Sequence, residues 1–299
     1  MPRASLNRIA ATFLTAALVG AVAGCSNPSV HSPTNPRAFG GSDIRVVVPT
    51  GIEWGYLNPA RGDASPRAGA LWGDRTTTGA SGFLVEFSDG FSSPPHIHNV
   101  SYRGIVLLGL IHNDDPGAAA MWMPAGSYWT QPAGEAHITA ASGDRNLAYI
   151  EIGEGPYLVH AREQAFDNGE RPINVHPANL IWQDAAVVAP GAPDGVMAAL
   201  LWGAPEPGRA HGFLLKFRPG FAGVLRIGSE HQAVVIEGHP QRANPDRTGR
   251  QTLPPGSAFG SDQGAGHHIA TASDESTVLY VRTDGAIQIN ETSSRSDHK

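Results

Sequence analysis

The sequence contains little of what several protein classes require. Its 299 residues include one cysteine, Cys25, so no internal disulfide can form. The 21 Lys and Arg are scattered and are outnumbered by 27 Asp and Glu, so we expect no nucleic-acid partner. Long runs of strong helix formers are scarce, whereas 36 glycines and 24 prolines punctuate short apolar runs. This punctuation predicts an all-β chain.

The N-terminus has the pattern of an export signal. Arg3 and Arg8 precede an uncharged, mostly apolar stretch over residues 9–24. A basic start followed by a short apolar segment is typical of a signal peptide, and the segment is short for a membrane span, which needs about 20 residues. We therefore predict a signal peptide over residues 1–25 and an exported protein.

The end of this signal resembles the lipobox of bacterial lipoproteins. It reads Val22-Ala23-Gly24-Cys25, and in that family the cysteine is lipidated and becomes the first residue. Ser26 resembles the residue that directs such lipoproteins to the outer membrane. The resemblance implies a membrane anchor through Cys25 alone, at the periplasmic face of the outer membrane if the source is Gram-negative. The alternative is an ordinary cleaved signal with an incidental cysteine.

An internal repeat predicts the domain organisation. Seven landmarks recur in the same order at an offset of about 130 residues. They include Leu71-Trp72-Gly73 with Leu201-Trp202-Gly203, Gly82-Phe83-Leu84 with Gly212-Phe213-Leu214, and Tyr149-Ile150-Glu151 with Tyr280-Val281-Arg282. We expect two copies of one domain, with a polar tether before them and a disordered tail after them. The predicted boundaries are 26–40 for the tether, 41–160 for the first domain, 161–178 for a linker, 179–289 for the second domain and 290–299 for the tail.

Each copy consists of short aromatic or β-branched segments separated by turn residues. The clearest predicted strands of the first copy span residues 83–87, 104–108, 127–131 and 147–152. Many antiparallel strands of this length predict a sandwich or jelly-roll barrel in each copy.

Three histidines are candidate metal ligands. His96 and His98 are two residues apart, so in an extended strand their imidazoles lie on the same face. His137, from another strand, would complete a three-histidine face that leaves coordination positions open. The alternative for His96 and His98 is a hydrogen-bonded polar pair at a barrel rim.

The spacing around these histidines resembles the two motifs of the cupin superfamily. Gly90, His96, His98 and Gly109 match the first motif, and Gly126, Pro132, Gly134 and His137 match the second, with Ala141 in place of its final asparagine. With the repeat, the resemblance implies an all-β chain of two tandem cupin barrels, each a double-stranded β-helix. It also implies a metal near one open end of the first barrel.

One position departs from the cupin pattern, because Tyr102 stands where the motif has a glutamate ligand. A phenol with a pKa near 10 ligates less readily than a carboxylate. Three readings stay open, in order of preference. In the first, three histidines bind the metal and Tyr102 hydrogen-bonds a metal-bound water or the substrate. In the second, Tyr102 itself ligates. In the third, the site holds an anion or polar ligand without a metal.

The second copy lacks this set of ligands. Leu225 and Ile227 occupy its first two histidine positions and His231 the glutamate position, while His268, with His267 beside it, remains from the second motif. We expect the second barrel to be structural, to be a dimerisation surface for a homodimer, or to hold an apolar group.

Strand alternation supplies further candidate site residues. Trp129 and Gln131 share one face of a predicted strand and would line a substrate pocket if that face points inward. Glu151 is a candidate general base, or a residue that orients a histidine; the alternative is a charge on a solvent-facing strand.

These features predict an enzyme that binds one divalent metal ion (zinc, copper, manganese, nickel or iron) and acts on a small organic molecule. Oxygen-dependent bond cleavage by a dioxygenase is the leading reaction class, ahead of hydrolysis or isomerisation. The alternative function is a non-catalytic protein of the cell envelope that binds or senses a small molecule or metal.

Overall fold

The computed structural model describes residues 44–206, 208–243 and 249–292. The predicted signal peptide, Cys25 and the tether lie outside the described residues, so those predictions are untested. Among the described residues, no helix has the length and apolar character needed to cross a membrane.

The described chain is built from antiparallel strands, as the composition predicted, with short 3₁₀ turns in some of the connections. The first ten strands are β1 (Arg45–Val47), β2 (Trp54–Tyr56), β3 (Arg67–Trp72), β4 (Ser81–Phe87), β5 (His96–His98), β6 (Tyr102–Asp114), β7 (Tyr128–Gln131), β8 (Ile138–Ile152), β9 (Val159–Ala161) and β10 (Ile173–Val175). The remaining nine are β11 (Gln183–Asp184), β12 (Met197–Trp202), β13 (His211–Phe217), β14 (Ala222–Glu237), β15 (Gln241–Ala243), β16 (Arg250–Thr252), β17 (Ala258–Ala270), β18 (Thr277–Thr283) and β19 (Ile287–Glu291). The 3₁₀ turns span Pro49–Gly51, Pro59–Ala64, Arg162–Gln164, Pro177–Asn179 and Ala185–Val187.

The strands form two large sheets that follow the predicted repeat. The first sheet has seven strands in the order β10-β7-β6-β8-β4-β3-β2, and β5 and β9 form a separate pair. The second sheet has ten strands, with β11-β12-β13-β18-β14-β17-β15-β16 as its main path. This arrangement confirms the predicted all-β class with two tandem jelly-roll barrels.

Strand β6 is longer than predicted because a glycine lets it bend without ending. Gly109 has a φ of 74°, in the left-handed region, and the register of β6 against β8 shifts between Leu108 and Leu110. A β-bulge of this kind kinks a strand while the ladder continues on both sides.

The two barrels exchange their leading strands. β1 precedes the first barrel yet pairs with β17 of the second sheet, Arg45 lying opposite Gly260. β10 precedes the second barrel and pairs with β7 of the first sheet, Ile173 lying opposite Thr130. The segment predicted as a linker thus contains a strand of the first sheet. At the other end, Asn290 and Glu291, predicted to begin the tail, complete β19.

Side chains from both barrels form a shared apolar core between the sheets. Leu84, Ile105 and Tyr149 from the first barrel pack in one buried cluster with Leu214 and Tyr280 from the second. Each barrel also has its own interior cluster, which contains Phe83 and Val85 in the first barrel and Phe213 and Leu215 in the second. Alternate side chains of β4 and β13 therefore serve two cores, which explains why these strands are apolar on both faces.

Candidate metal centre

The structure brings the three predicted histidines together. His96 and His98 lie on β5, and His137 precedes β8, where the backbone N–H groups of His96 and His137 each donate to the other's carbonyl at 3.0 Å. The ring centroids of His96 and His137 are 4.3 Å apart, and that of His98 lies 5.0 Å and 5.2 Å from them. One ring nitrogen from each histidine lies within 4.8 Å of the other two.

Backbone carbonyls fix the tautomer of each histidine. The Nδ1–H groups of His96, His98 and His137 donate to the carbonyl oxygens of Pro94 at 2.9 Å, Leu158 at 3.1 Å and Glu135 at 3.3 Å. Because a carbonyl only accepts, each neutral ring keeps a lone pair on Nε2. A hydrogen bond from the other ring nitrogen is the usual support for a metal-ligating histidine, so this donor set fits a metal ion.

Burial keeps these rings neutral. It lowers the pKa of His137 to about 3, lowers that of His98 well below its ordinary value, and lowers that of His96, which the charge of Arg61 depresses further. Neutral imidazole is the form that binds metals, so the cluster needs no deprotonation before it can accept an ion.

Tyr102 lies beside the histidines as a protonated phenol. Its hydroxyl donates to Asn113 Oδ1 at 3.0 Å and lies 3.4 Å from His137 Nε2. Burial raises the pKa of Tyr102 above its ordinary value. A neutral phenol is a good hydrogen-bond donor and a poor ligand, so this geometry favours the reading in which Tyr102 hydrogen-bonds and does not ligate.

A second phenol, Tyr157, was missed in the sequence. Its hydroxyl lies 3.1 Å from His98 Nε2, and its ring stacks on that of His98 with centroids 4.3 Å apart. It belongs to the loop between β8 and β9, which Asn99 holds by donating to the Pro156 carbonyl and accepting from the Leu158 N–H. A loop residue 59 positions after His98 has no periodicity or spacing that would have predicted it.

A cavity of about 400 Å³ opens beside the cluster and is lined by His96, His98, Tyr102 and Tyr157. Its deep wall is apolar and consists of the buried side chains of Val85, Phe87, Trp129 and Ile150. Its solvent side carries half-buried or exposed residues: Arg61, Pro94, Pro95, Arg162 and Glu163.

Trp129 and Gln131 are both buried, but only Trp129 lines this cavity. Gln131 accepts from Asn113 Nδ2 at 2.9 Å and donates to the Glu135 carbonyl at 3.1 Å. The Tyr102 hydroxyl and the His137 Nδ1–H are hydrogen-bonded to the same Asn113 and Glu135. The predicted role of Gln131 in lining the pocket was therefore wrong: it supports the partners of Tyr102 and His137.

Glu151 is not near the histidines, so its predicted role as a general base or histidine partner was wrong. Its Oε2 accepts from the hydroxyls of Tyr149 at 3.0 Å and Tyr280 at 2.9 Å, and its Oε1 lies 3.5 Å from Arg282 and 3.9 Å from Arg103. Ile150 and Ile152 point into the first barrel's interior, so by strand alternation Glu151 points the other way, towards the second barrel.

The second barrel has a histidine pair in place of the metal cluster. His231 Nε2 and His267 Nε2 are 2.7 Å apart, and the Arg242 guanidinium donates to His267 Nδ1. His267 is buried opposite Leu225 while His268 is exposed, so His267 and not His268 is the counterpart of His137. Across the described residues, the three histidines of the first barrel form the one group with metal-site spacing.

A comparison with protein-family models identifies the chain. A model described as a domain of unknown function, DUF4437, matches residues 45–290. The chain belongs to the DUF4437 family. The match spans both barrels of this DUF4437 member, including the exchanged strands. No curated protein matches its sequence.

Solved structures with similar folds come from several bacteria. A Nostoc punctiforme protein provisionally described as a dioxygenase has a TM-score of 0.61 and 14% identity, over 85% of this chain and 88% of its own. The oxalate decarboxylase of Lactobacillus farciminis, solved as a formate complex, has a TM-score of 0.53 and 11% identity, over 85% of this chain and 90% of its own. Protein Ylba of E. coli has a TM-score of 0.56 and 11% identity, over 83% of this chain and 94% of its own. At these identities the likeness shows the fold, and it confirms the tandem cupin barrels that the motifs predicted.

Proposed function

We propose that the first barrel binds one divalent metal ion through His96, His98 and His137 and uses it to act on a small organic molecule. The observation that carries this proposal is the convergence of three Nε2 lone pairs whose opposite nitrogens are fixed on backbone carbonyls. A bound divalent ion would supply Lewis acidity and open coordination positions. Oxygen-dependent bond cleavage is the leading reaction class, ahead of hydrolysis or isomerisation.

The chain's own groups would bind and orient the substrate. The apolar wall around Trp129 and Ile150 would exclude water from the deep end of the cavity. The Tyr157 hydroxyl lies at hydrogen-bonding distance from His98 Nε2, so it would direct a neutral donor at an oxygen atom held beside the histidines. The Tyr102 hydroxyl, whose proton goes to Asn113 Oδ1, would offer its oxygen as an acceptor.

A second candidate function, non-catalytic capture of a small ligand, is favoured by one observation. The Nε2 atom of His98 already has the Tyr157 hydroxyl at 3.1 Å. This hydrogen bond satisfies that buried nitrogen without a metal, as a site that binds an anion or polar ligand would require.

We further propose that the protein is exported and anchored through a lipid on Cys25, with the periplasmic face of the outer membrane as its location in a Gram-negative cell. This rests on the apolar stretch 9–24 and on the lipobox-like residues before Cys25. An exported chain would meet its metal outside the cytoplasm, where the order of affinities favours copper and zinc over ferrous iron.

Elemental analysis of the purified protein, after dialysis against each divalent ion, tests the metal proposal. We expect about one bound ion per chain, lost in His96→Ala and His137→Ala and retained in Tyr102→Phe, because a three-histidine site needs all its imidazoles and no phenolate. The exposed His268 of the second barrel provides the matched control, His268→Ala, which should keep the ion.

The metal proposal would be contradicted if the wild-type protein takes up none of the ions, or if His137→Ala keeps its metal content. The second candidate function, non-catalytic ligand binding, would then remain. Loss of metal in Tyr102→Phe with an intact fold would instead restore Tyr102 as a ligand. Oxygen consumption with the loaded protein, against a panel of phenols, β-diketones and thiols, then separates a dioxygenase from a binder.

A further inference from the structure

Arg61, at the solvent side of the cavity, has no acidic partner in the described part of the chain. Its guanidinium carbon lies 5.9 Å from the ring centroid of Phe91, which also lines the cavity. Among the residues that the structure describes, no carboxylate lies within ion-pairing distance of Arg61. A half-buried guanidinium without a counter-ion has unused hydrogen-bond donors in the fork geometry that matches a carboxylate.

The segment that carries Arg61 is fixed by local hydrogen bonds. Asn58 caps the turn by accepting from the Ala60 N–H at 3.1 Å, and its own N–H donates to Ser65 Oγ at 2.9 Å. Gly62, next to Arg61, has a φ of 52°, which a residue with a side chain rarely adopts. The turn therefore presents Arg61 from a defined backbone, not from a long free loop.

The charges around the cavity favour an anion. Of the described residues that line the cavity, Glu163, exposed at the solvent side, is the one acidic residue, whereas Arg61 and Arg162 are both basic. The metal centre adds to this imbalance, because three neutral imidazoles and two neutral phenols leave the charge of a divalent ion uncompensated. An anionic ligand would supply the negative charge that the protein lacks here.

Much of the remaining cavity wall is apolar, with a few polar side chains among its residues. Leu57, Val85, Phe87, Phe91 and Ile150 line it, and its volume of about 400 Å³ lies in the range for one small organic ligand. A wholly polar dianion such as oxalate would leave these side chains facing polar oxygens, whereas an aromatic or aliphatic group would bury against them.

We propose that the cavity binds a small carboxylic acid with an apolar body, and that Arg61 holds the carboxylate at the solvent side while the body points towards the histidines. This inference deepens the proposed metal-dependent function by naming its substrate class. The Arg61 contact itself does not depend on the metal.

Calorimetric titration with 3-phenylpropanoate and its amide, 3-phenylpropanamide, tests this proposal. Each probe is titrated into chelator-treated and zinc-loaded protein. We expect the acid to bind about 10- to 100-fold more tightly than the amide in both forms, as one charge-assisted contact allows. Arg61→Gln should weaken binding of the acid by a similar factor and change the affinity for the amide by less than about twofold. Oxalate should bind to the wild-type protein more weakly than 3-phenylpropanoate does.

The matched control is Arg67→Gln, an exposed arginine six residues along that does not line the cavity, which should not change either affinity. Equal affinities for acid and amide, unchanged acid binding in a folded Arg61→Gln variant, or tighter binding of oxalate would each overturn the proposal. If the protein takes up no metal but still binds the acid through Arg61, this proposal is supported and the metal-dependent function is the one that fails. If the protein binds metal but has equal affinities for the acid and the amide, the metal-dependent function is supported and the carboxylate proposal fails.

Discussion

At the scale of single residues, burial makes five imidazoles resist protonation. It lowers the pKa of His96, His98 and His137 in the first barrel and of His231 and His267 in the second. Each group is harder to protonate in the folded chain than in the unfolded chain, whose histidines titrate near pH 6.5. The unfolded state therefore binds more protons as the pH falls below that value, and folding stability decreases.

We expect the metal-free protein to have a flat stability above about pH 6.5 and to lose about 1.4 kcal/mol per pH unit below it for each histidine that stays neutral when folded. For His137 this loss continues until its folded pKa of about 3. Urea unfolding at a series of pH values measures the slope, which should be shallower in His137→Gln. A stability that stays constant as the pH falls to about 5 would contradict this expectation.

Residue types and spacing were enough to predict the three histidines, because the cupin motifs place two of them on one strand with fixed alternation and the third directly before another strand. Tyr157 and Arg61 were not predictable in this way, since one lies in the loop before β9 and the other in the 3₁₀ turn Pro59–Ala64. Which loop residues reach a cavity depends on how the chain returns to the barrel, and no local periodicity encodes that path.

At the scale of elements, the pairing of β6 with β7 shapes the cavity wall. Gly104 lies opposite Trp129, and a Cβ on Gly104 would come within 2.1 Å of the Trp129 ring. The indole occupies the space where a side chain at position 104 would be. A glycine in mid-strand weakens a strand by itself, so its presence here reflects the close approach of the tryptophan.

Gly104→Ala should destabilise the protein by about 1 to 3 kcal/mol, because the indole must move in a packed interior. The control is Gly55→Ala on β2, where a Cβ would meet no atom within 4 Å and the φ is ordinary. Chemical denaturation of both variants checks this difference. Equal stabilities of the two variants would show that the Trp129 ring can move aside without a loss of stability.

At the scale of the whole molecule, a buried polar cluster joins the two barrels. Glu151 accepts from Tyr149 of its own barrel and from Tyr280 of the other, and their hydroxyls accept in turn from the indole N–H groups of Trp72 at 3.1 Å and Trp202 at 3.0 Å. The arrangement is nearly symmetric, except that one carboxylate serves both halves, since the repeat places Arg282 where the first copy has Glu151.

Glu151→Gln should lower the free energy of unfolding by about 2 to 3 kcal/mol, because two hydroxyls and two guanidinium groups lose their shared anion. Metal uptake should not change, since the site is elsewhere. Denaturation combined with elemental analysis tests both statements, with the exposed Glu86→Gln as a control expected to stay within about 0.5 kcal/mol of wild type. If Glu151→Gln loses metal binding while its stability is unchanged, Glu151 contributes to the metal site after all.

The sequence by itself determined the all-β class, the duplication, the absence of a matching histidine set in the second copy and the identity of the three clustered histidines. These follow from alternation, turn residues and motif spacing, which are local or periodic properties of the chain. Only the tertiary structure decided that β1 and β10 change barrels, that Glu151 points between the barrels, and that Tyr157 and Arg61 reach the cavity. Those outcomes depend on which sheet faces pack together and on where loops cross them, and contacts between distant segments leave no periodic trace in the sequence.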